Sequence, residues 1–99
     1  MTIEQTTEKG SIVLTLDGEL TAHTADKLNT AIETALNETN SLVLDFTNME
    51  YVASAGLRIL LKAKKALNAK KGRFFIRNVS DDVMNVFEIT GFSDILDFI

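Results

Sequence analysis

The sequence predicts an α/β fold in a single domain, residues 1–99, with a mixed, mostly parallel sheet of about four or five strands and about three helices. Short apolar runs alternate with segments of helical periodicity, which is the order expected where helices connect parallel strands. The length of 99 residues suits one domain. No linker, low-complexity segment or internal repeat divides the chain, so the elements are expected to share one core.

Two strands and one helix are predicted in the first part of the chain. Residues 12–16 are mainly aliphatic, which is typical of a strand, and a weaker strand around Ile3 would pair with it in a hairpin. From Ala25 onward the apolar residues recur at helical spacing. Thr24 is the expected N-cap of this helix, because threonine is a favoured residue at that position.

The middle of the chain predicts a buried strand followed by a second helix. Residues 42–46 form a short apolar run interrupted by Asp45, which suits a strand covered on both faces of a parallel sheet. After Val52 the leucines return to helical spacing. This helix is expected to end with Gly72 in the left-handed conformation.

The last part of the chain predicts a strand, a helix and an edge strand. Residues 73–77 form an apolar run between two arginines, and Ser80 is the expected cap of a third helix that Gly91 stops. Residues 95–99 are apolar enough for a final edge strand. The predicted order is therefore β, β, α, β, α, β, α, β.

Composition excludes several kinds of chemistry. The chain is 45% apolar and 24% charged, which is ordinary for a globular protein. It has no cysteine, so disulfides, Cys-based zinc sites, iron–sulfur clusters and thiol nucleophiles are excluded. No apolar run reaches membrane-spanning length, and the start of the chain lacks the features of a signal peptide. A cytoplasmic protein without membrane contact, cofactor or metal is expected.

Positive charge is concentrated in one stretch. Eight of the ten Lys and Arg residues lie between Arg58 and Arg77, where there is no Asp or Glu, although the net charge is −4. This pattern predicts one basic face, mostly the solvent side of the second helix. Such a face could meet an acidic partner, anionic lipid or nucleic acid. Direct binding of nucleic acid is not expected, because no aromatic residues are interleaved with the lysines.

Ser54 lies where the third predicted strand passes into the second helix. Binding sites gather at the carboxyl ends of strands in α/β sheets, and a helix N-terminus favours a negative group. The hydroxyl of Ser54 would either cap the helix or accept a phosphoryl group, with Arg58 one turn away. The small residues Ala55 and Gly56 leave its approach uncrowded, and the residue types alone leave both roles open.

The segment DFTNMEYVASAGLRILL, residues 45–61, closely resembles the signature of the STAS domain, the sulfate transporter and anti-sigma factor antagonist family. The segment GELTAHTA, residues 18–25, resembles an earlier loop of that family. Residues 78–80 and 86–92 resemble its third-helix region. The resemblance covers nearly the whole chain and implies a STAS-like fold with the same order of elements.

The resemblance implies a bacterial anti-sigma factor antagonist that regulates transcription by switching partners. Stand-alone family members bind an anti-sigma factor that is also a serine kinase, and phosphorylation of one serine by that kinase releases them. A PP2C-type phosphatase reverses the modification. By motif position the serine is Ser54. The residues implied in partner binding are Glu19, Thr21, His23, Ala53, Ser54, Ala55, Gly56 and Arg58.

One feature departs from the family pattern. Many members place Asp or Ser before the target serine and Ser or Thr after it, whereas Ala53 and Ala55 flank it here. A STAS scaffold or ligand-sensing module that works without phosphorylation is the alternative function.

An enzyme is not expected from this sequence. His23 is the only histidine, and the segment around Ser54 lacks the first glycine of a Gly-x-Ser-x-Gly elbow. No metal site is expected either, because the adjacent Asp81 and Asp82 suit the first turn of a helix and have no spaced third ligand.

Overall fold

Strands and helices alternate along the chain in the predicted order as far as the third helix. The computed structural model describes all residues, Met1–Ile99. The strands are β1 (Thr2–Glu8), β2 (Ser11–Leu20), β3 (Ser41–Val52) and β4 (Arg73–Arg77). The helices are α1 (Ala25–Leu36), α2 (Ser54–Ala69) and α3 (Asp81–Thr90), followed by a 3₁₀ helix at Phe92–Asp94. No helix is both long enough and apolar enough to cross a membrane.

The four strands form one mixed sheet in the order β1, β2, β3, β4. β1 pairs with β2 antiparallel, and both remaining pairs are parallel. The connections through α1 and α2 step in the same direction across the sheet. Because such crossovers are right-handed, both helices are placed on the same face. The predicted α/β class and mixed, mostly parallel sheet are confirmed.

The core lies between this face of the sheet and the helices. Leu14, Leu44 and Ile76 form a row across the three parallel strands, and each is fully buried. Residues of all three helices join these side chains in one apolar cluster. The rings of Phe46 and Phe87, whose centroids are 6.2 Å apart, connect β3 to α3. The sheet therefore holds its parallel strands rigidly, and their two ends form opposite edges of the molecule.

The other face of the sheet carries a buried carboxylate with hydrogen bonds on both oxygens. Asp45 accepts from the amide and hydroxyl of Thr47, from Arg77 Nε at 2.9 Å and from Asn78 Nδ2 at 3.1 Å. Burial by itself raises the pKa of Asp45, but these hydrogen bonds outweigh it and lower the pKa to about 2. Asp45 therefore stays ionised and ties β3 to the end of β4.

Arg77 also joins the two edge strands across this face. Its Nη2 donates to Glu8 Oε2 at 2.8 Å, so that β4 is linked to β1. The hydrogen bond to Glu8 and the one to Asp45 together raise the pKa of the guanidinium. The bond to Arg77 in turn lowers the pKa of Glu8.

The predicted final strand is wrong. After α3 the chain turns through Gly91, in the left-handed conformation at φ 81°, into the 3₁₀ helix. It then meets β4 at one bridge only, between Ile76 and Phe98. Leu96 is buried in the core. The apolar character of residues 95–99 thus reflects this packing and not a ladder of strand hydrogen bonds.

The expected left-handed residue after α2 is also placed wrongly. Lys71 has a φ of 58° and takes that conformation, whereas Gly72 does not. Gly72 is required for a different reason, because a Cβ there would overlap the backbone oxygen of Asn40.

The basic stretch does not form one face, contrary to the prediction. Arg58, Lys62 and Lys65 are exposed on α2. Arg77 extends over the opposite face of the sheet, and Lys71 lies at the edge where β4 begins. The positive charge is therefore divided among three surfaces: the outer side of α2, the opposite face of the sheet and the edge where β4 begins.

Candidate functional site

Ser54 is the first residue of α2, at the edge of the sheet where β3 ends. The N-cap is Ala53, with φ −97° and ψ 171°, and no side chain caps the helix. The interpretation of Ser54 as the cap is therefore wrong. Ser54 is exposed, and none of the chain's side-chain hydrogen bonds involves its hydroxyl.

The loop between β2 and α1 is held by Thr24. Its Oγ1 accepts from the Thr21 amide at 2.9 Å and donates to the Glu19 carbonyl at 2.8 Å. Thr24 does occupy the N-cap position of α1 as predicted, but its hydroxyl closes the loop and does not cap the helix. The amide of His23 donates to Thr21 Oγ1 at 3.2 Å, and the side chains of Glu19 and His23 are exposed.

This loop and the start of α2 are brought to the same edge by the pairing of β2 with β3. Glu19 lies opposite Tyr51 in the parallel register. The Ala53 amide donates to the Leu20 carbonyl at 2.8 Å, which continues the ladder one residue past β3. Gly56 is buried directly against the Leu20 side chain. The structure thus gathers the predicted residues of both segments, although the Ser54 hydroxyl and the His23 imidazole share no hydrogen bond.

Tyr51 is a residue of this edge that the sequence reasoning did not single out. It is 51% exposed, a large value for an aromatic side chain. The strand predicted from the sequence covers residues 42–46 and excludes it, but β3 continues to Val52. The available signal was an aromatic residue next to the charged Glu50, three positions before Ser54. Exposed aromatic residues are enriched in protein interfaces, so Tyr51 joins the candidate site.

The electrostatics at the start of α2 favour a negative group. As the first residues of a helix, Ser54 and Ala55 have no intrahelical acceptor for their amides. No acidic residue occupies the first turn of α2. Arg58 lies four positions after Ser54, hence on the same side of the helix, and it is exposed and free of ion pairs. A phosphoryl group on Ser54 would meet only favourable charges from its own helix.

The sequence model of one family, the STAS domain, matches residues 2–99 of this chain. The chain belongs to the STAS domain family. It is 36% identical over 81 residues to the anti-sigma-B factor antagonist of Listeria monocytogenes, a match that covers 81% of this chain and 71% of that protein. It is 30% identical over 97 residues to the anti-sigma-B factor antagonist of Staphylococcus aureus, covering 97% of this chain and 90% of that one.

Solved structures show the same STAS fold. The Bacillus cell fate determinant SpoIIAA in its phosphorylated form superimposes with a TM-score of 0.75 at 22% identity, over 99% of this chain and 91% of that one. An anti-sigma factor antagonist from Mycobacterium paratuberculosis gives 0.88 at 24% identity, over 98% of this chain and 83% of that one. The resemblance to the STAS family that the sequence motifs indicated is confirmed.

The uncapped start of α2 leads to a stability prediction. Ala53 already has the extended backbone of an N-cap, so Ala53→Ser is expected to place a hydroxyl where it accepts from a first-turn amide. The free energy of unfolding should rise by about 1 kcal/mol, and urea unfolding followed by circular dichroism would measure it. Ala55→Ser, inside the same turn, is the control and should bring no gain. An equal effect of both substitutions would contradict the cap assignment.

Proposed function

We propose that this STAS domain is an anti-sigma factor antagonist, controlled by phosphorylation of Ser54. The unphosphorylated form binds an anti-sigma factor that is also a serine kinase, and thereby frees a sigma factor in the cytoplasm. Transfer of the γ-phosphoryl group of ATP to Ser54 Oγ releases the domain. A PP2C-type phosphatase hydrolyses the phosphoserine and restores binding.

The observation that carries this proposal is the exposed, unbonded hydroxyl of Ser54 at the start of α2. The comparison with Ser80 is informative, because Ser80 caps α3 by accepting from the Val83 amide at 3.2 Å. Phosphorylation of a capping serine would break a structural hydrogen bond. Ser54 has none to lose, and the helix start tolerates the added charge.

The partner surface in this proposal is the edge of the sheet around Ser54. It includes the exposed side chains of Glu19, His23, Tyr51 and Arg58. The remaining contributors are the flanking residues Thr21, Ala53, Ala55 and Gly56, which shape the backbone at this edge. A phosphoryl group brings about −1.5 to −2 charges, and a docked partner would have to desolvate them. Binding is therefore expected to be lost without any change of fold.

The test compares wild type, Ser54→Asp and Ser80→Asp as tagged proteins in a lysate of the source bacterium. Ser80→Asp is a matched control, since it adds the same charge at the start of another helix and aspartate also caps well. Wild type and Ser80→Asp are expected to retain a serine-kinase-type anti-sigma factor, and Ser54→Asp to retain at least about tenfold less, a difference near 1.4 kcal/mol. The retained kinase, purified and given ATP, should add one phosphoryl group to wild type and none to Ser54→Ala, by intact mass.

The alternative function predicts other results. A scaffold that works without phosphorylation would retain the same partner in all three forms, and that partner would not modify Ser54. Either finding would contradict the switch.

A further inference from the structure

A polar cleft of about 340 Å³ opens at the edge of the sheet opposite Ser54, where the parallel strands begin. Three connections form its walls: the β1–β2 turn, the α1–β3 loop and the α2–β4 loop. No hydrophobic residue lines it. The partner surface proposed above uses none of the residues that line this cleft.

The cleft collects positively charged side chains that form no ion pair within the chain. Lys9 of the β1–β2 turn lines it, as do Lys71 and Arg73 where the α2–β4 loop enters β4. All three are exposed, and none takes part in the four ion pairs of the chain. Glu8, the acid next to Lys9 in sequence, is held by Arg77. Three unpaired cations thus face one concave surface in a protein whose net charge is −4.

The walls of the cleft are tied together before any ligand binds. Ser11 Oγ and Ser41 Oγ are 2.6 Å apart and hydrogen-bonded. Thr39 Oγ1 accepts from the Ser41 amide at 3.0 Å. The Arg73 amide donates to the Asn40 carbonyl at 2.7 Å, which joins the loop before β3 to the start of β4. A ligand would therefore find the three loops already in place, and little ordering would oppose its binding.

We propose that this cleft binds a small anion that carries more than one phosphate charge. Lys and Arg are the side chains that bind phosphate oxygens, and whichever of the Ser11 and Ser41 hydroxyls does not donate to the other supplies a further hydrogen bond. No aromatic or aliphatic side chain is available to hold a base or an acyl chain. A docked acidic protein is less favoured, because interfaces need apolar anchors at their centre and the cleft has none.

The probe is inorganic pyrophosphate, titrated at physiological ionic strength into isotope-labelled protein and followed by amide NMR shifts. Orthophosphate, and a short oligo-glutamate peptide of matched charge, are titrated in parallel. The main variant is Lys71→Gln/Arg73→Gln. The matched control is Lys62→Gln/Lys65→Gln, which removes the same charge from the outer side of α2. Thermal unfolding of each variant verifies that it is folded.

Saturable shifts at the three loops are expected, with pyrophosphate bound more tightly than orthophosphate. The main variant should weaken binding at least about tenfold, since it removes two charge-assisted contacts, and the control by no more than about twofold. The proposal is overturned if no saturation occurs below about 10 mM, if both double variants weaken binding equally, or if the peptide binds more tightly than pyrophosphate.

Discussion

Gly56→Ala is expected to lower the free energy of unfolding by about 1–2 kcal/mol, although alanine is the better helix former. A Cβ at position 56 would lie 2.7 Å from Leu20 Cδ2 and closer still to its Cγ. Leu20 is fully buried and has no room to retreat. Overpacking of this kind costs about 1–3 kcal/mol, whereas alanine in place of glycine in a helix contributes only about 1 kcal/mol.

The same substitution should reverse its sign when Leu20 is alanine. Leu20→Ala alone should cost about 2–5 kcal/mol, because it removes a fully buried side chain. It also removes the atoms that the new methyl group meets, leaving only a Cβ at 3.4 Å. Gly56→Ala should then stabilise by roughly 0.5–1 kcal/mol, its helix-forming contribution. Urea unfolding of wild type, the two single variants and the double variant measures this double-mutant cycle. An equal effect of Gly56→Ala with Leu20 and with alanine at position 20 would show that contact with Leu20 does not determine the cost of a side chain at position 56.

Asp45→Asn is expected to lower the free energy of unfolding by about 2 kcal/mol near neutral pH. The folded-state pKa of Asp45 lies at about 2, below its ordinary value of 3.8. A lowered pKa stabilises the fold above the ordinary value, and this contribution is lost as the pH falls through that of the folded state. The difference in unfolding free energy between variant and wild type should therefore shrink from pH 4 downward, to about 0.4 kcal/mol near pH 2, where Asp45 is half protonated.

The measurement is the unfolding free energy in urea at several pH values between 7 and 2. Asp17→Asn is the control, because Asp17 is an exposed carboxylate outside the four ion pairs. As an exposed surface substitution it should change the free energy of unfolding at pH 7 by no more than about 0.5 kcal/mol. If the difference in unfolding free energy between wild type and Asp45→Asn stayed constant with pH, the charge of Asp45 would contribute nothing to stability.

Most of the fold could be predicted because its signals are local. The helical spacing of α1, the Ser80 cap and the end of α3 at Gly91 are each read from a few neighbouring residues, and the structure confirms them. The final strand could not be predicted in the same way. Whether residues 95–99 pair with β4 or pack under it depends on distant side chains, and an apolar run is compatible with both.

The candidate site was predicted only in part, because some of its residues are marked by a local motif and others depend on strand pairing. The motif located Ser54 and the loop at residues 19–23, and the parallel register places them at one edge. Their relation to Tyr51 depends on the continuation of β3 beyond residue 46, through irregular register with β2. Such irregularities have no clear local signature. The missing cap also depends on where α2 begins, and a shift of one residue there exchanges the roles of Ala53 and Ser54.

The 16 residues of α2 separate Ser54 from the cleft at the other end of the domain. At 1.5 Å per residue the helix is about 24 Å long, roughly three screening lengths at physiological salt. The electrostatic interaction between a charge gained at one end and a group at the other end is therefore almost fully screened. Any influence of a bound anion on Ser54 would have to travel as a rigid displacement of α2. Without such movement, phosphorylation of Ser54 and binding of an anion in the cleft would occur independently of each other.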